Sequence, residues 1–272
     1  MRTHSQRVTS HPFRVAKLFP FDFTELKQEN LLSEEYERAI ISGFYPAIFD
    51  RDIPPHLFYP SYEYTYVERD VTGLISSSNL ETFRQFIRIC ATYASQLISN
   101  SKIARSCGVS VGTIISWLSI LEQSYIIFRL PPYFNNFGKR LIKSPKLYFY
   151  DTGLLCNLLE ITNETELKES SFKGALFENL IIANQVKQNH HEGKNVRLYF
   201  FRDSNQIEVD LLESKASKLI LTEIKSTRTY RMELSKNLHK VATLVDRDVE
   251  KRLIYGGDDS FKVKDVNVLP WS

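Results

Sequence analysis

Three charged side chains with the chemistry of a metal site lie within one apolar stretch of the sequence, IEVDLLESKASKLILTEIKS. Side chains alternate along a β-strand, so Glu223 and Lys225 share one face of the second apolar run. If the two runs are antiparallel neighbours joined by the SKASK turn, Asp210 lies beside Glu223. Adjacent carboxylates repel each other, and Mg²⁺ or Mn²⁺, which prefer oxygen ligands, would relieve that repulsion. The stretch therefore predicts a divalent-metal site at Asp210 and Glu223.

Two further roles complete a predicted catalytic set. Lys225 could orient or deprotonate a water, or stabilise negative charge that develops on a phosphate. A Glu-x-Lys tripeptide is more often a solvated surface pair, but the strand KLILTEI is apolar on both faces, as a central strand is. Charges at the end of such a strand need partners, which favours a buried site. A helix before these strands could supply a further carboxylate, so the predicted catalytic residues are Glu178, Asp210, Glu223 and Lys225.

The last third of the chain predicts the elements that hold this cluster. FKGALFENLIIANQVKQN has the pattern of a helix, and three strands are predicted to follow it in VRLYFFRD, QIEVDLLE and KLILTEIKS. A second helix, ELSKNLHKVATLVD, precedes the closing strands KRLIYGG and FKVKDVNVL. A helix, a run of hairpin strands, a helix and a closing strand predict an α/β sandwich, or an α+β fold overall.

The middle of the chain has the pattern of a helix-turn-helix. In NSKIARSCGVSVGTIISWLSILEQSYIIFRL, an alanine lets two helices approach, Gly108 takes the corner between them, and Ser110 caps the second helix. The strands YIIFRLPPY and KLYFYDTG follow, joined by the basic stretch NNFGKRLIKSPK. This order predicts a winged helix.

Positive charge in this region lies in the predicted wing. The second helix offers Ser110, Thr113 and Ser116 to solvent but no Lys or Arg that could contact phosphate or guanine. A basic wing flanked by aromatic residues could lie along a nucleic-acid backbone. Alternatively, the winged helix is a packing module and its basic cluster a solvated loop. The predicted DNA-binding residues are Arg129, Lys139, Arg140, Lys143 and Lys146.

For three other polar residues, the sequence predicts structural and not catalytic roles. His190 and His191 follow a helix, with no Cys or acidic residue at metal-ligand spacing in the sequence, so we expect them at a solvent-facing helix end. Asp151 follows the strand KLYFY and is expected to cap the turn at Gly153.

The composition indicates which partners and which cellular location to expect. The formal net charge of +3 is too small to imply a polyanionic partner, so any basic footprint must be local. Cys90, Cys107 and Cys156 are scattered and odd in number, as in a reducing cytoplasm. The basic N-terminus lacks the apolar run of a signal peptide, and no apolar run approaches the length of a membrane span. We therefore expect a cytoplasmic protein without membrane contact.

Several phrases together carry a family resemblance. The order of Glu178, Asp210 and Glu223-x-Lys225 resembles the PD-(D/E)XK nuclease-like superfamily. Nearly the whole chain from about residue 15 resembles the C-terminal portion of a prokaryotic family of AAA-type ATPases, in which a winged-helix middle precedes an uncharacterised domain of PD-(D/E)XK type. The phrases are GFYPAIF, YVERDV, IARSCGVSVGTIISWLSILEQSYIIFRLPPY, KRLIKSPKLYFYDTGLL, GALFENLI, YFFRDSNQIEVDLL and TEIKS.

The resemblance also has a gap. The chain contains no G-x-x-x-x-G-K-[ST] loop to hold nucleotide phosphates, so ATP is not expected as a cofactor of this chain alone. The resemblance implies a truncated family member. Its expected parts are a remnant of the ATPase core and helical lid in residues 1–75, a helical and winged-helix domain in 76–164, and a nuclease-like domain in 165–272.

Three functional hypotheses follow. The first is a DNA-associated protein whose nuclease-like domain hydrolyses phosphodiesters with Mg²⁺. The second is a non-catalytic DNA- or protein-binding adaptor for a separate ATPase core. The third is an inert remnant of a longer gene.

Overall fold

The computed structural model describes residues 18–133, 143–194 and 196–272, and there the chain has the predicted α+β fold. Helices dominate the chain up to residue 191, and an open sheet occupies most of the rest. The helices are α1 Phe23–Gln28, α2 Tyr36–Ser42, α3 Pro46–Asp50, α4 Pro55–Thr65, α5 Leu80–Thr92, α6 Asn100–Cys107, α7 Val111–Gln123, α8 Thr152–Leu158, α9 Glu164–Glu169, α10 Lys173–His191 and α11 Lys236–Ala242. A π-helical turn, Tyr66–Val71, extends α4.

The predicted pair of helices around Gly108 is confirmed. Gly108 ends α6 in the left-handed conformation, with φ of +66°, which glycine adopts without a steric penalty. The hydroxyl of Ser110 then accepts a hydrogen bond from the backbone N–H of Thr113 and caps α7. The two helices meet at 102°, and their apolar faces are buried in the core through residues such as Ile103 and Trp117.

Two short antiparallel strands follow this helix pair. Strand β1, Ile127–Leu130, pairs with β2, Lys146–Phe149, as the sequence predicted. Lys139 and Arg140 of the predicted wing lie outside the described residues. The winged-helix interpretation of this hairpin therefore stays a prediction.

The six-stranded sheet comes from the last third of the chain. Its strands are β3 Arg197–Arg202, β4 Glu208–Ser214, β5 Lys218–Lys225, β6 Asp248–Tyr255, β7 Phe261–Val263 and β8 Val266–Pro270. Their spatial order is β3-β4-β5-β6-β8-β7. Strands β3, β4 and β5 are antiparallel neighbours, whereas β5, β6 and β8 run parallel. Helix α11 makes the crossover between β5 and β6, which parallel pairing requires.

In the part of the chain that the structure describes, two clusters of buried apolar residues form the core. The larger cluster joins helices α1 to α10 with β1 and β2, and includes residues from Phe23 to Trp271. The smaller cluster packs α11, through Leu238 and Val241, against strands of the sheet. The domain boundaries near residues 75 and 164 stay a prediction, because the larger cluster draws on residues from both sides of each. Among the described helices, none is by itself long and apolar enough to cross a membrane; α6 and α7 reach that length and composition only as a bent pair.

Candidate metal-binding site

The neighbouring strands β4 and β5 bring Asp210 and Glu223 together. The antiparallel register pairs Leu211 with Thr222, which places the two carboxylates at the next position along the strands. The Asp210 Oδ2 atom accepts a hydrogen bond from the backbone N–H of Ile224 at 2.8 Å. Both acidic residues are only 5% exposed. The predicted juxtaposition of Asp210 and Glu223 is therefore what the backbone pairing produces.

Lys225 completes this part of the site. Its Nζ lies 2.8 Å from Glu223 Oε1 and 3.3 Å from Asp210 Oδ2. Side-chain alternation places Glu223 and Lys225 on the same face of β5, so the ammonium can bridge the two acids. The Lys225 side chain is 35% exposed, unlike the acids beside it. The lysine is thus the member of the trio that is most accessible to solvent.

Glu178 of α10 lies in a second part of the same cluster. Its Oε1 atom accepts hydrogen bonds from Lys146 Nζ at 2.9 Å and from the Tyr148 hydroxyl at 2.6 Å. Lys146 Nζ also lies 2.5 Å from Glu208 Oε1 and 4.0 Å from Asp210 Oδ1. Strand β2 therefore contributes a cation that joins α10 to β4.

Burial and mutual repulsion shift the pKa values of two acids in this cluster. Burial, with the charge of Asp210 adding to it, raises the pKa of Glu223 to about 8. Burial raises the pKa of Glu178 to about 7, although Lys146 opposes the shift. Without a metal ion, these carboxyls therefore hold protons at pH values where an exposed glutamate would be ionised.

The two lysines respond in the opposite sense. Burial alone would lower the pKa of Lys225, but the charges of Asp210 and Glu223 outweigh burial and raise it above its usual value. The pKa of Lys146 is raised in the same way, because the negative charges of Glu178, Asp210 and Glu208 outweigh the effect of burial. Both side chains are consequently cations at neutral pH. Lys225 is then suited to orienting a water or stabilising phosphate charge, and not to removing a proton.

The donor set of Asp210 and Glu223 fits a divalent cation. Glu223 Oε2 is buried and has no hydrogen-bond partner, although a buried carboxylate oxygen normally has one. A cation at that oxygen would supply the missing interaction, and the pair offers the oxygen ligands that Mg²⁺ and Mn²⁺ prefer. Among the described residues, Glu178 does not join them in a group of three ligand atoms within 4.8 Å. Its predicted role as an auxiliary ligand stays a prediction.

Sequence reasoning missed the roles of Lys146 and Tyr148. Lys146 was predicted to contact DNA from an exposed wing, whereas its side chain is 2% exposed and surrounded by carboxylates. As the structure places it, its ammonium cannot reach a phosphate in solvent, so this part of the prediction needs correction. A signal existed in the sequence, because Lys146 opens the apolar strand KLYFY, where a lone charge needs a buried partner.

The other predicted DNA-binding residues have different surroundings. Arg129 makes a bidentate ion pair with Glu122, at 2.7 and 2.6 Å, which neutralises its charge. Lys143 is exposed. Lys139 and Arg140 lie outside the described residues. DNA contact by any of these residues stays a prediction.

His190 is exposed at the end of α10, as predicted. His191, the last residue of that helix, is only 23% exposed and faces two carboxylates, which the sequence did not predict. Its Nδ1 lies 2.8 Å from Asp22 Oδ2 and 3.4 Å from Glu25 Oε2. The acidic partners come from a segment far away in the chain, so spacing within the sequence could not reveal them. His190 packs against Phe19, with ring centroids 5.1 Å apart. Asp151 caps α8 as predicted, by accepting a hydrogen bond from the backbone N–H of Leu154.

Comparisons with known proteins place the cluster across two matched segments. Residues 33–165 match a domain of unknown function (DUF8612), and residues 173–272 match a domain of unknown function (DUF4143) that is found in AAA-ATPase-associated proteins. Glu178, Asp210, Glu223 and Lys225 belong to the second segment. Lys146 and Tyr148 belong to the first.

Two uncharacterised proteins, from Mycobacterium tuberculosis and Mycobacterium bovis, are similar to the chain. Each is 31% identical over 208 residues, which is 75% of this chain and 45% of the relative. The chain therefore spans less than half the length of these curated relatives.

Proposed function

We propose that the chain is a DNA-associated module whose Asp210–Glu223–Lys225 cluster hydrolyses phosphodiesters with a bound Mg²⁺ ion. The single observation that carries the proposal is the buried Glu223 Oε2, which has no hydrogen-bond partner although Asp210 and Lys225 lie beside it. The order of a helix acid, a strand acid and Glu-x-Lys resembles the nuclease-like superfamily, and that resemblance supports the same reading.

Each residue of the chain has a distinct task in this proposal. Asp210 and Glu223 would hold the ion, which supplies an activated water and neutralises charge on the phosphate when bound. Lys225 remains protonated and donates to the water or to a phosphate oxygen, because its raised pKa rules out a role as a base near neutral pH. The backbone N–H of Ile224 fixes the Asp210 carboxylate by a hydrogen bond to Oδ2. Glu178 stays with Lys146 and Tyr148 as a supporting group.

Cleavage of DNA tests the proposal. The purified chain, incubated with supercoiled and linear DNA in Mg²⁺ or Mn²⁺, is expected to cut, and EDTA is expected to stop the reaction. Lys225→Ala should slow cutting by at least about 100-fold, the usual cost of removing one donor to developing charge. Lys168→Ala, an exposed substitution on α9, is the matched control when prepared identically and should retain most activity. A parent protein that cuts under none of these metals would refute the enzymatic proposal.

A second candidate function is a non-catalytic adaptor that binds DNA or a separate ATPase core. The observation that favours it is Lys146, whose ammonium already neutralises Glu178 and Glu208 within the cluster. A fold in which buried cations satisfy the acids needs no metal ion. If the chain is an adaptor, gel-shift experiments should show DNA binding whose affinity does not depend on Mg²⁺. The Asp210→Asn variant should bind DNA with the same affinity. DNA binding that requires Mg²⁺ and is lost in that variant would count against it.

A further inference from the structure

A second group of metal-ligating side chains lies where the start of α1 meets the end of α10. Asp22, Glu25 and His191 each offer one ligand atom, and these atoms lie within 4.8 Å of one another. Two donor atoms bound to one Zn²⁺ at the tetrahedral angle are about 3.4 Å apart. The separation between His191 Nδ1 and Glu25 Oε2 is 3.4 Å, and that between His191 Nδ1 and Asp22 Oδ2 is 2.8 Å. A small opening of the second pair would accommodate an ion.

Hydrogen bonds to the backbone already orient both carboxylates. Asp22 Oδ1 accepts from the N–H groups of Thr24 at 2.7 Å and Glu25 at 3.0 Å, while Glu25 Oε2 accepts from the N–H of Asp22 at 2.9 Å. This reciprocal capping box uses Asp22 Oδ1 and leaves Oδ2 directed at His191. Ligand carboxylates in metal sites are commonly held by such outer hydrogen bonds. The arrangement therefore needs little reorganisation to bind an ion.

Contacts outside the group fix the segment 21–24 against α10. Asn184 Oδ1 accepts from the N–H of Phe23 at 2.8 Å, and Gln188 Nε2 donates to Thr24 Oγ1 at 2.9 Å. Buried Lys187 donates to the carbonyl of Phe21 at 2.5 Å. These residues recur on one face of α10 with the spacing of helical turns, and His191 continues that face. The distance between the carboxylates and the imidazole is consequently set without help from a metal.

We propose that Asp22, Glu25 and His191 bind one first-row divalent metal ion of the Zn²⁺ type, which clamps the segment before α1 to the end of α10. An imidazole nitrogen with two carboxylates favours Zn²⁺ over Mg²⁺ or Ca²⁺, which select all-oxygen sites. Water completes the coordination. The competing arrangement is a proton on His191 Nδ1 shared with Asp22. This site is separate from the Asp210–Glu223 cluster and does not depend on the function proposed above.

Calorimetric titration with Zn²⁺ tests the clamp in a background that lacks the other candidate metal centre. The full chain carrying Asp210→Asn and Glu223→Gln is expected to bind one equivalent of Zn²⁺ saturably. Adding Asp22→Asn should weaken binding at least about tenfold, because the ligand charge is lost although asparagine still caps the helix. The same ion should raise the melting temperature of the background protein but not that of the Asp22→Asn protein.

A second variant keeps the test decisive. Glu25→Gln preserves the capping hydrogen bond and should also weaken Zn²⁺ binding, so it replaces Asp22→Asn if circular dichroism shows the latter to be unfolded. His4 and His11 are common to all of these proteins, so differences between them report on the cluster alone. The absence of saturable Zn²⁺ binding in the background protein, or equal affinity in the folded variants, would overturn the proposal. Either result leaves the cleavage experiment on the unmodified chain unaffected.

Discussion

The ammonium of Lys146 lies 2.9 Å from Glu178 Oε1 and is 2% exposed, so strand β2 contributes a buried cation to the acids of the following segment. The two residues belong to different matched segments, 33–165 and 173–272. The acidic cluster around Asp210 and Glu178 is therefore built from both segments. The charge balance of this cluster depends on Lys146, which lies outside the segment 173–272.

Replacement of Lys146 should show how much its ion pair with Glu178 contributes to the free energy of unfolding. We expect Lys146→Met to lower the free energy of unfolding by about 3 kcal/mol at pH 8, because loss of one partner leaves buried carboxylates without a counter-ion. The penalty should shrink at pH 5, where Glu178 can take up a proton instead. Urea denaturation at both pH values measures it.

The exposed Lys143 offers a control for this experiment. Lys143→Met should stay within about 0.5 kcal/mol of the parent, as surface substitutions usually do. Equal stability of the two methionine variants would contradict a structural role for the buried ammonium.

The pKa shifts of Glu178 and Glu223 predict how stability depends on pH in the absence of metal. Folded Glu223 holds its proton up to about pH 8, whereas in the unfolded chain it releases the proton near 4.5. The folded state thus binds more protons between these values, so its stability is full below about pH 4.5 and falls as the pH rises towards 8. Glu178 acts in the same direction up to about pH 7. The slope is at most about 1.4 kcal/mol per pH unit for each proton.

Urea denaturation in EDTA from pH 5 to pH 8 measures this slope. Glu223→Gln, which keeps the shape of the side chain but cannot ionise, should flatten the curve. A parent protein whose stability increases steadily over that range would show that the carboxyls are not held protonated.

Metal binding at the Asp210–Glu223 pair should release a proton. A divalent ion requires ionised ligands, and Glu223 is largely protonated below pH 8 in the metal-free protein. We therefore expect the affinity for Mn²⁺ to rise by up to about tenfold per pH unit between pH 6 and 8. Calorimetry in two buffers of different ionisation enthalpy counts the proton. Release of the same proton by Glu223→Gln would be inconsistent with this assignment.

The sequence predicted much of the candidate site because strand alternation and pairing are local rules. Asp210, Glu223 and Lys225 lie on adjacent strands joined by a short turn, so their proximity follows from register alone. Lys146 and Tyr148 reach the cluster from a separate hairpin, and only tertiary packing brings them there. His191 meets Asp22 in the same way, across most of the chain. Contacts between residues so far apart in the chain have no characteristic spacing in the sequence from which they could be predicted.

The fold shows the same division between local and long-range rules. The turn at Gly108 and the succession of helices and strands were predictable from side-chain pattern and turn chemistry. The parallel pairing of β5 with β6 and β8 depends on the path of the connecting chain. That path is not encoded in any short motif.

DNA contact by the basic residues after β1 predicts a salt dependence. If Lys139, Arg140 and Lys143 each neutralise one phosphate, replacing all three with alanine should reduce the slope of log affinity against log salt by roughly 2.7. Fluorescence anisotropy with a labelled duplex, measured from low to moderate salt, gives that slope. Lys168→Ala, an exposed substitution on α9, should leave it unchanged. An unaltered slope in the triple variant would place DNA elsewhere on the protein.

Anomalous diffraction from crystals grown with Mn²⁺ tests the central claim most directly. We predict a peak about 2.2 Å from carboxylate oxygens of both Asp210 and Glu223, including the Oε2 atom that has no partner without metal. Lys225 Nζ should then lie farther from these oxygens than the 2.8 and 3.3 Å described above. No peak between the two acids, with Lys225 still bridging them, would contradict the account.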